Sequence, residues 1–451
     1  MTDLLSLLLS FPPPTPVSEI EYDQRSHSLV SSLRQINPRT LTGDIPGHGN
    51  LLDAFDPVQV RYAGHEFNKL IEFVAEASEF ASKPITAIKP IQRAMLRLDP
   101  SGSTFTSTHT IFARLCLLAR CYLPALSVLE QDICHFPTAV DKHFLKRSQL
   151  LPCQQHPSSV SYITLSSGLP GRISYRTYLE YFLYGSMIYM SLKKWEKARH
   201  FLDIVISAPA SNAISMVMLE ACKKWILVNL LERGMVPAMP HTVNASVAKA
   251  YKALVKPYNA LAIVFKTGTF IRLKAEISAG MELWRKDNNT GLVLQVLDAF
   301  RRFSVLKLER SFAALAIPDL TQRLALGDRC SLDMERFVAK LLAGSRLSAR
   351  LFQPSDSSNP TILRFGHFFQ PMKGAMEAKL WEQLLEQKRR VDLLVHNLYE
   401  TDVKFGLGPD YIDGLRKARW RKNGGDNETS ASAGGNNSVA DFEEDIMADL
   451  Q

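Results

Sequence analysis

The stretch YRTYLEYFLYGSMIYMSLKKWEKARHFLDIVISAP, residues 175–209, decides the architecture, and ISMVMLEACKKWILVNLLERG (214–234) continues it. Apolar and aromatic residues recur three and four positions apart: Tyr181, Tyr184 and Ile188, then Trp195, Ala198, Leu202 and Val205. That spacing lays a broad apolar stripe along each of two helices. Ser191–Lys194 interrupts the run and Ala208–Pro209 stops it, which predicts two helices of nearly equal length and a third beginning at Ile214. Small Gly185 and Ala198 fall where antiparallel helices come close. This is the grammar of a tetratricopeptide-like hairpin with one extra residue in its turn. Such a hairpin cannot bury its own stripe, so the surrounding chain is expected to be a stacked helical array.

Upstream, residues 1–10 read as a short amphipathic helix ended by Pro12, Pro13 and Pro14, and 17–57 carry only a weak helical pattern. Gly47-His48-Gly49 reads as a loop; no Lys-Ser/Thr follows it, so it is no phosphate cradle. Helices are expected near 59–82 and 87–97, then a pair over 107–134 with Pro124 in the first turn of its second member. Residues 135–169, rich in Pro, Gln and Ser, read as a long surface loop. After the central hairpin come helices near 214–232, 243–255, 258–266, 269–285 and 290–302. Asn and Thr in DNNTG (287–291) are expected to cap the last of these. A calcium loop would need alternating ligands and a closing Glu, which are missing.

Beyond Phe303 the segments shorten. Helices are expected near 304–316, 317–326 and 331–343, followed by strand-like runs Arg346–Gln353 and Thr361–Phe365. Three short helices and a β-hairpin make a winged helix. A long helix from about Pro371 to Tyr399 follows, with Leu380, Leu384, Gln387, Val391, Leu394 and Leu398 in alternating steps of four and three. Fewer than three heptads and a polar Gln387 favour one member of a helix bundle. LRKARWRK (415–422) and an acidic end, DFEEDIMADL, read as part of a disordered tail.

A chain of 451 residues has room for two or three domains' worth of core, and its net charge of +8 does not demand nucleic acid. Cys116, Cys121, Cys134, Cys153, Cys222 and Cys330 form no CxxC pair, which fits reduced thiols in an intracellular protein. MTDLLSLLLSFPPP has no basic leader, and no segment approaches about 20 apolar residues, so neither export nor a membrane span is expected. His65-Glu66 is followed by Lys69 where a zinc-protease helix needs histidine, and no His-x-His, GxSxG or Walker motif occurs. Glu220, Glu276 and Asp298 read as solvated helical residues. Tyr181, Tyr184 and Trp195 could form a base-stacking platform, but at helical spacing they read as core. In SLDMERFVAKLLAG (331–344), Asp333 and Glu335 stand where a DNA reader would meet phosphates, so protein docking is the better reading. The 415–422 run reads equally as a nuclear localisation signal, a nucleic-acid patch or a solvated segment.

Array, winged helix and bundle helix, in that order, resemble the PCI-domain proteins, scaffold subunits of the proteasome lid, the COP9 signalosome and translation initiation factor three. ARLCLLARCYLPAL (113–126), YFLYGSMIYMSLKKWEKA (181–198), MLEACKKWILVNLL (218–231) and RKDNNTGLVLQVL (285–297) resemble the third-subunit family of the signalosome, over about residues 104–400. The resemblance implies a mainly α fold: a right-handed superhelix of tetratricopeptide-like hairpins, a PCI winged helix with a small β-hairpin, and a long C-terminal bundle helix. The expected division is a divergent segment at 1–58, an array at 59–302, a winged helix at 303–368, a bundle helix at 370–400 and a tail at 406–451.

It further implies a non-catalytic, cofactor-free scaffold of the complex that removes Nedd8 from cullin–RING ubiquitin ligases, working in cytoplasm and nucleus. Leu380, Leu384, Val391, Leu394 and Leu398 would enter a bundle of all subunits. Arg346, Phe352, Ile362 and Phe365 would contact neighbouring PCI subunits, the first and eighth. Two alternatives remain: a proteasome-lid scaffold subunit, and a PCI protein that binds nucleic acid.

Overall fold

A computed structural model describes residues 2–11, 13, 17–35, 45–60, 63–137, 159–210, 214–323, 331–343, 347, 349–353, 360–366, 374–406 and 411–417. The chain divides into two compact units, Met1–Phe369 and Gln370–Gln451. In the first, helices α1 (Thr2–Leu9), α2 (Glu19–Arg34) and α3 (Ile45–Ala54) lead into two stacked hairpins. These are α4 (Gly64–Phe80) with α5 (Ile85–Leu98), and α6 (Ser107–Leu118) with α7 (Leu123–Leu129). The hairpin first read from sequence is α8 (Tyr175–Ser191) with α9 (Trp195–Ile206), followed by α10 (Met216–Arg233). Then come α11 (Ala245–Leu254), α12 (Lys256–Thr267), α13 (Phe270–Ala279), α14 (Met281–Lys286) and α15 (Thr290–Glu309). Helix α4 packs on α6, α6 on α8 and α8 on α10, while α5 packs on α7, so like members of successive hairpins stack. Their stripes merge into one core running from Leu8 to Ala299.

The close approach expected at Gly185 is present: a Cβ there would come within 2.6 Å of the Phe201 ring on α9. Four of the reversals share one design. Ser82, Arg120, Lys193 and Asn288 all have φ between 53° and 58°. In each case the next residue's N–H reaches back five positions: Lys83 to Ser78, Cys121 to Cys116, Lys194 to Tyr189, Asn289 to Trp284, at 2.9–3.0 Å. These are Schellman turns built without glycine, each holding an L-residue in a conformation that costs roughly 1–2 kcal/mol.

Several expectations are corrected. Gly47-His48-Gly49 lies within α3, because Leu51 and Leu52 are fully buried and carry the chain into a helix. Of the expected surface loop at 135–169, the described part from 159 onward is not superficial. Ile163 and Leu169 are buried, and Asn68 of α4 donates to the carbonyls of Gly168 and Leu169 at 2.5 and 2.9 Å. Residues 138–158 lie outside the described set. The expected helix at 269–285 is two, α13 and α14, separated by Gly280. The expected break at 303 is absent: no Gly or Pro falls between Leu292 and Glu309, and α15 runs 20 residues without interruption.

Residues 314–316, expected as helix, form strand β1 (Ala314–Ala316). It is followed by α16 (Ile317–Arg323), α17 (Ser331–Ala343), β2 (Ala349–Phe352) and β3 (Ile362–Phe365). The sheet order is β1-β3-β2, all antiparallel. Helix, strand, two helices and a two-stranded wing complete the winged-helix topology around a second core of Val305, Leu315, Ile317, Leu320, Met334, Val338, Leu341, Leu363 and Phe365. Helix α15 therefore serves both cores, giving Val293, Val296 and Ala299 to the first and Val305 to the second. In the second unit, α18 spans Gly374–Gly406, longer than expected, and 411–417 are helical although they fall in the expected disordered tail.

Asn289 holds the N-cap position of α15 without making a capping bond, which corrects its expected role. It is fully buried in a polar node between α10, α12 and the α14–α15 turn. Its Oδ1 accepts from Lys224 Nζ at 2.9 Å, and its Nδ2 donates to the Tyr258 hydroxyl at 2.9 Å. Tyr258 in turn donates to Asp287 Oδ2 at 2.8 Å, whose other oxygen takes Lys223 Nζ at 2.8 Å. Glu220, expected to be solvated, pairs with Lys224. Burial works against charge on Asp287, but the Lys223 ammonium and Tyr258 hydroxyl outweigh it and hold the carboxyl below its ordinary value.

Two predictions follow from buried polar groups in the array. Asn289→Ala removes one partner each from Lys224 and Tyr258 and is expected to cost about 1–3 kcal/mol in urea unfolding of the full chain. His109 on α6 is lowered to about 4, by burial above all. Its Nδ1 accepts from the Thr106 N–H at 3.2 Å, which suits the neutral ring. The fold therefore binds this proton less well than the unfolded chain: its contribution is complete above about pH 6.5 and falls away toward pH 4. Stability should drop by about 2 kcal/mol between pH 7 and pH 5 from this group, and His109→Gln should flatten that slope.

Candidate functional site

The chemistry-bearing side chains of the array are turned to packing. Burial pushes the Cys116 and Cys222 thiols up to about 12. Among the described residues, no three His, Cys, Asp or Glu side chains are grouped to hold a metal ion. Tyr181 is buried in an aromatic cluster with Phe105, Phe182 and Phe201, at ring-centroid distances of 5.1–6.3 Å, so it offers no free face for stacking. Tyr184 and Trp195 are half-buried against the same core.

Two surfaces of the described residues carry the expected contact positions. The first is the outer face of the winged-helix sheet. Strand alternation sends Leu351, Leu363 and Phe365 toward the second core and Arg350, Phe352, Ile362 and Arg364 outward. Phe352 and Ile362 are cross-strand partners, 45% and 41% exposed, forming an apolar step beside the Arg350–Arg364 pair. Phe365 is corrected: at 7% exposure it belongs to this chain's own core and is not available to a partner. Arg346 lies outside the described residues. In α17, Met334, Val338 and Leu341 face inward and Arg336 and Lys340 outward, while Glu335 accepts from Thr361 Oγ1 at 3.1 Å, tying helix to wing. That carboxylate is thereby committed to the fold.

The second surface is α18, a rod of 33 residues, or roughly 50 Å at 1.5 Å rise per residue. Leu380, Leu384, Val391, Leu394 and Leu398 are all exposed along one stripe. A second row, not read from the sequence, lies beside it: Trp381, Leu385, Val395 and Tyr399 are also exposed. At about 100° per residue the two rows cover roughly half the helix circumference. Their spacing was visible one residue out of step with the first stripe, but Lys388 and Asp392 interrupt it and hide the pattern. An apolar arc of that width exceeds what a single partner helix covers.

Among the described residues, no helix is long and apolar enough to cross a membrane. The family model for the N-terminal helical repeats of COP9 signalosome complex subunit 3 matches residues 44–247. A protein of Emericella nidulans named COP9 signalosome complex subunit 3 is 36% identical over 433 residues, covering 92% of this chain and 85% of its own length. The protein of the same name from Dictyostelium discoideum is 30% identical over 364 residues, covering 80% of this chain and 77% of its own.

Two apolar positions of β3 separate surface from core in a simple measurement. Ile362→Lys should leave the unfolding free energy of the chain unchanged within about 0.5 kcal/mol. Phe365→Ala should cost about 3–5 kcal/mol by leaving a cavity in the second core.

Proposed function

The chain belongs to the COP9 signalosome subunit 3 family, and from that membership we propose that it acts as a non-catalytic PCI scaffold subunit of a signalosome. In this reading it supports removal of Nedd8 from cullin–RING ubiquitin ligases by assembly alone, in cytoplasm and nucleus, and meets the ligases only indirectly. The observation that carries the proposal is the doubled apolar arc of α18, which stands exposed in the single chain. Burying one large apolar side chain is worth about 1.5–3 kcal/mol, so nine exposed on one half of a helix are a strong drive to assemble.

The residues at 59–302 act as a spacer arm and those at 303–368 as the PCI docking module. The apolar step of Phe352 and Ile362 contributes to the contacts with neighbouring PCI subunits, the first and eighth. The helix at 370–400, through Leu380, Leu384, Val391, Leu394 and Leu398, joins the helices of all subunits in one bundle. The family name of the relatives favours this over a proteasome-lid role, and the committed Glu335 gives no support to a DNA-reading α17.

Affinity purification of the tagged full chain tests the assembly. Signalosome subunits are the expected companions; proteasomal ATPases in their place would overturn the assignment, as would salt-sensitive nucleic-acid binding without them. Replacing Leu384 and Leu394 together by Asp should release the subunit from its partners, because unpaired charge is strongly unfavourable in a bundle. The thermal unfolding of the array should not change, since both positions are exposed in the single chain. Unchanged co-purification would remove α18 from the bundle.

A further inference from the structure

Cys116 and Cys121 stand at the two ends of the turn between α6 and α7, and the hydrogen bonding of that turn brings them together. The Cys121 N–H donates to the Cys116 carbonyl at 3.0 Å and the Arg120 N–H to the Leu117 carbonyl at 3.1 Å, with Arg120 at a φ of 53°. In this Schellman pattern the residues joined by the outer bond are the two whose side chains meet across the helix end. An α-carbon lies about 1.5 Å from its own nitrogen and about 2.4 Å from its own carbonyl oxygen. The 3.0 Å bond therefore holds the two α-carbons within about 7 Å even with every atom in line. The angles at both ends shorten that distance into the range a disulfide spans, about 4.4–6.8 Å. The other three turns of this design set Ser78 with Lys83, Tyr189 with Lys194 and Trp284 with Asn289 in the same relation. Of the four, this turn alone carries a thiol at both positions.

The two thiols differ in what can reach them. Cys121 is half-buried at the edge of the core, whereas Cys116 is fully buried on α6. Burial first, and then the neighbouring Cys121, push the Cys116 thiol up to about 12, so it stays protonated and offers solvent no nucleophile. A dissolved oxidant therefore meets Cys121 first. Cys116 is held where the oxidised sulfur of Cys121 is presented to it.

We propose that Cys116 and Cys121 are a redox pair, oxidised by a hydroperoxide to a disulfide that locks the reversal between α6 and α7. The Cys121 thiolate attacks the O–O bond of the peroxide and becomes a sulfenic acid, releasing hydroxide. The Cys116 sulfur then attacks the Cys121 sulfur; its proton goes to the departing hydroxyl, and water leaves as the S–S bond forms. Two thiols give two electrons to one hydrogen peroxide, which ends as two molecules of water. A small thiol reverses the change by exchange. The bridge spans the left-handed Arg120 and ties the start of α7, a helix of only seven residues, covalently to α6. The pair lies within the array and needs no partner, so it stands or falls apart from the scaffold reading.

Arg120 lies between the two cysteines, so trypsin separates them onto peptides 115–120 and 121–142, and only a bridge keeps the two together. The full chain, treated with hydrogen peroxide, alkylated and digested without reductant, should yield that linked pair from a chain that runs as a monomer. Fragmentation should place the link at Cys121 and leave Cys134 alkylated. The thermal midpoint of the full chain should rise on oxidation and return with dithiothreitol. Cys121→Ser, a change at a half-buried position, should leave Cys116 unoxidised in the folded chain, and Cys134→Ser should leave the bridge intact. Cys116→Ala should stop the reaction at a Cys121 sulfenic acid that dimedone labels. A link from Cys121 to Cys134 or to a second chain would overturn the proposal. So would an oxidised Cys121 beside a Cys116 that still alkylates after unfolding, no oxidation at Cys121, or a midpoint lowered by the bridge.

Discussion

A helix with a broad apolar stripe can be buried only by another helix laid against it, and a hairpin always leaves one of its faces uncovered. Every other feature of the array answers that constraint. The chain must reverse at short range and always in the same sense, so that the next pair arrives in register with the last. The four glycine-free Schellman turns at Ser82, Arg120, Lys193 and Asn288 provide that repeated reversal. Each holds a strained backbone, roughly 1–2 kcal/mol against folding, and each is outweighed by the side chains it brings into the core.

Much of this was legible because helical periodicity and close packing leave marks in residue type. Gly185 is small because the Phe201 ring occupies the space a Cβ would need, and Pro209 stands just beyond the end of α9 at Ile206, where it cannot continue a helix. The turns themselves were harder to read: a left-handed residue usually announces itself as glycine, and here three of the four are Ser, Arg and Lys. β1 escaped because three residues are too few for alternation to show, and it is defined by pairing with a strand some 50 positions later. Asn289 misled for a different reason. The same residue type caps a helix or anchors a buried network, and only the positions of Lys224 and Tyr258, fixed by the fold, distinguish the two.

The exposed apolar surfaces were legible in part for the same reasons. The stripe from Leu380 to Leu398 keeps a clean period; its companion row is broken by Lys388 and Asp392 and emerges only when exposure is measured. On the wing, period-two alternation separates Phe352 and Ile362 from Phe365 once the register is known. In the sequence all three are simply apolar residues in a strand-like run. Register is a property of two strands, and neither contains it alone.

The polar node and the shared helix have a mechanical meaning. Helix α15 is one rod of 20 residues, roughly 30 Å long, with no proline or glycine beyond its first turn at which to bend. Its first residues are pinned by the Asn289 network, whose hydrogen bonds resist rotation as apolar contacts do not, and its last turns are set in the winged-helix core. A torque applied at the wing is therefore delivered along a stiff shaft to the joint between α10 and α12. A chain built this way transmits the orientation of its winged-helix core to the array instead of absorbing it in a hinge.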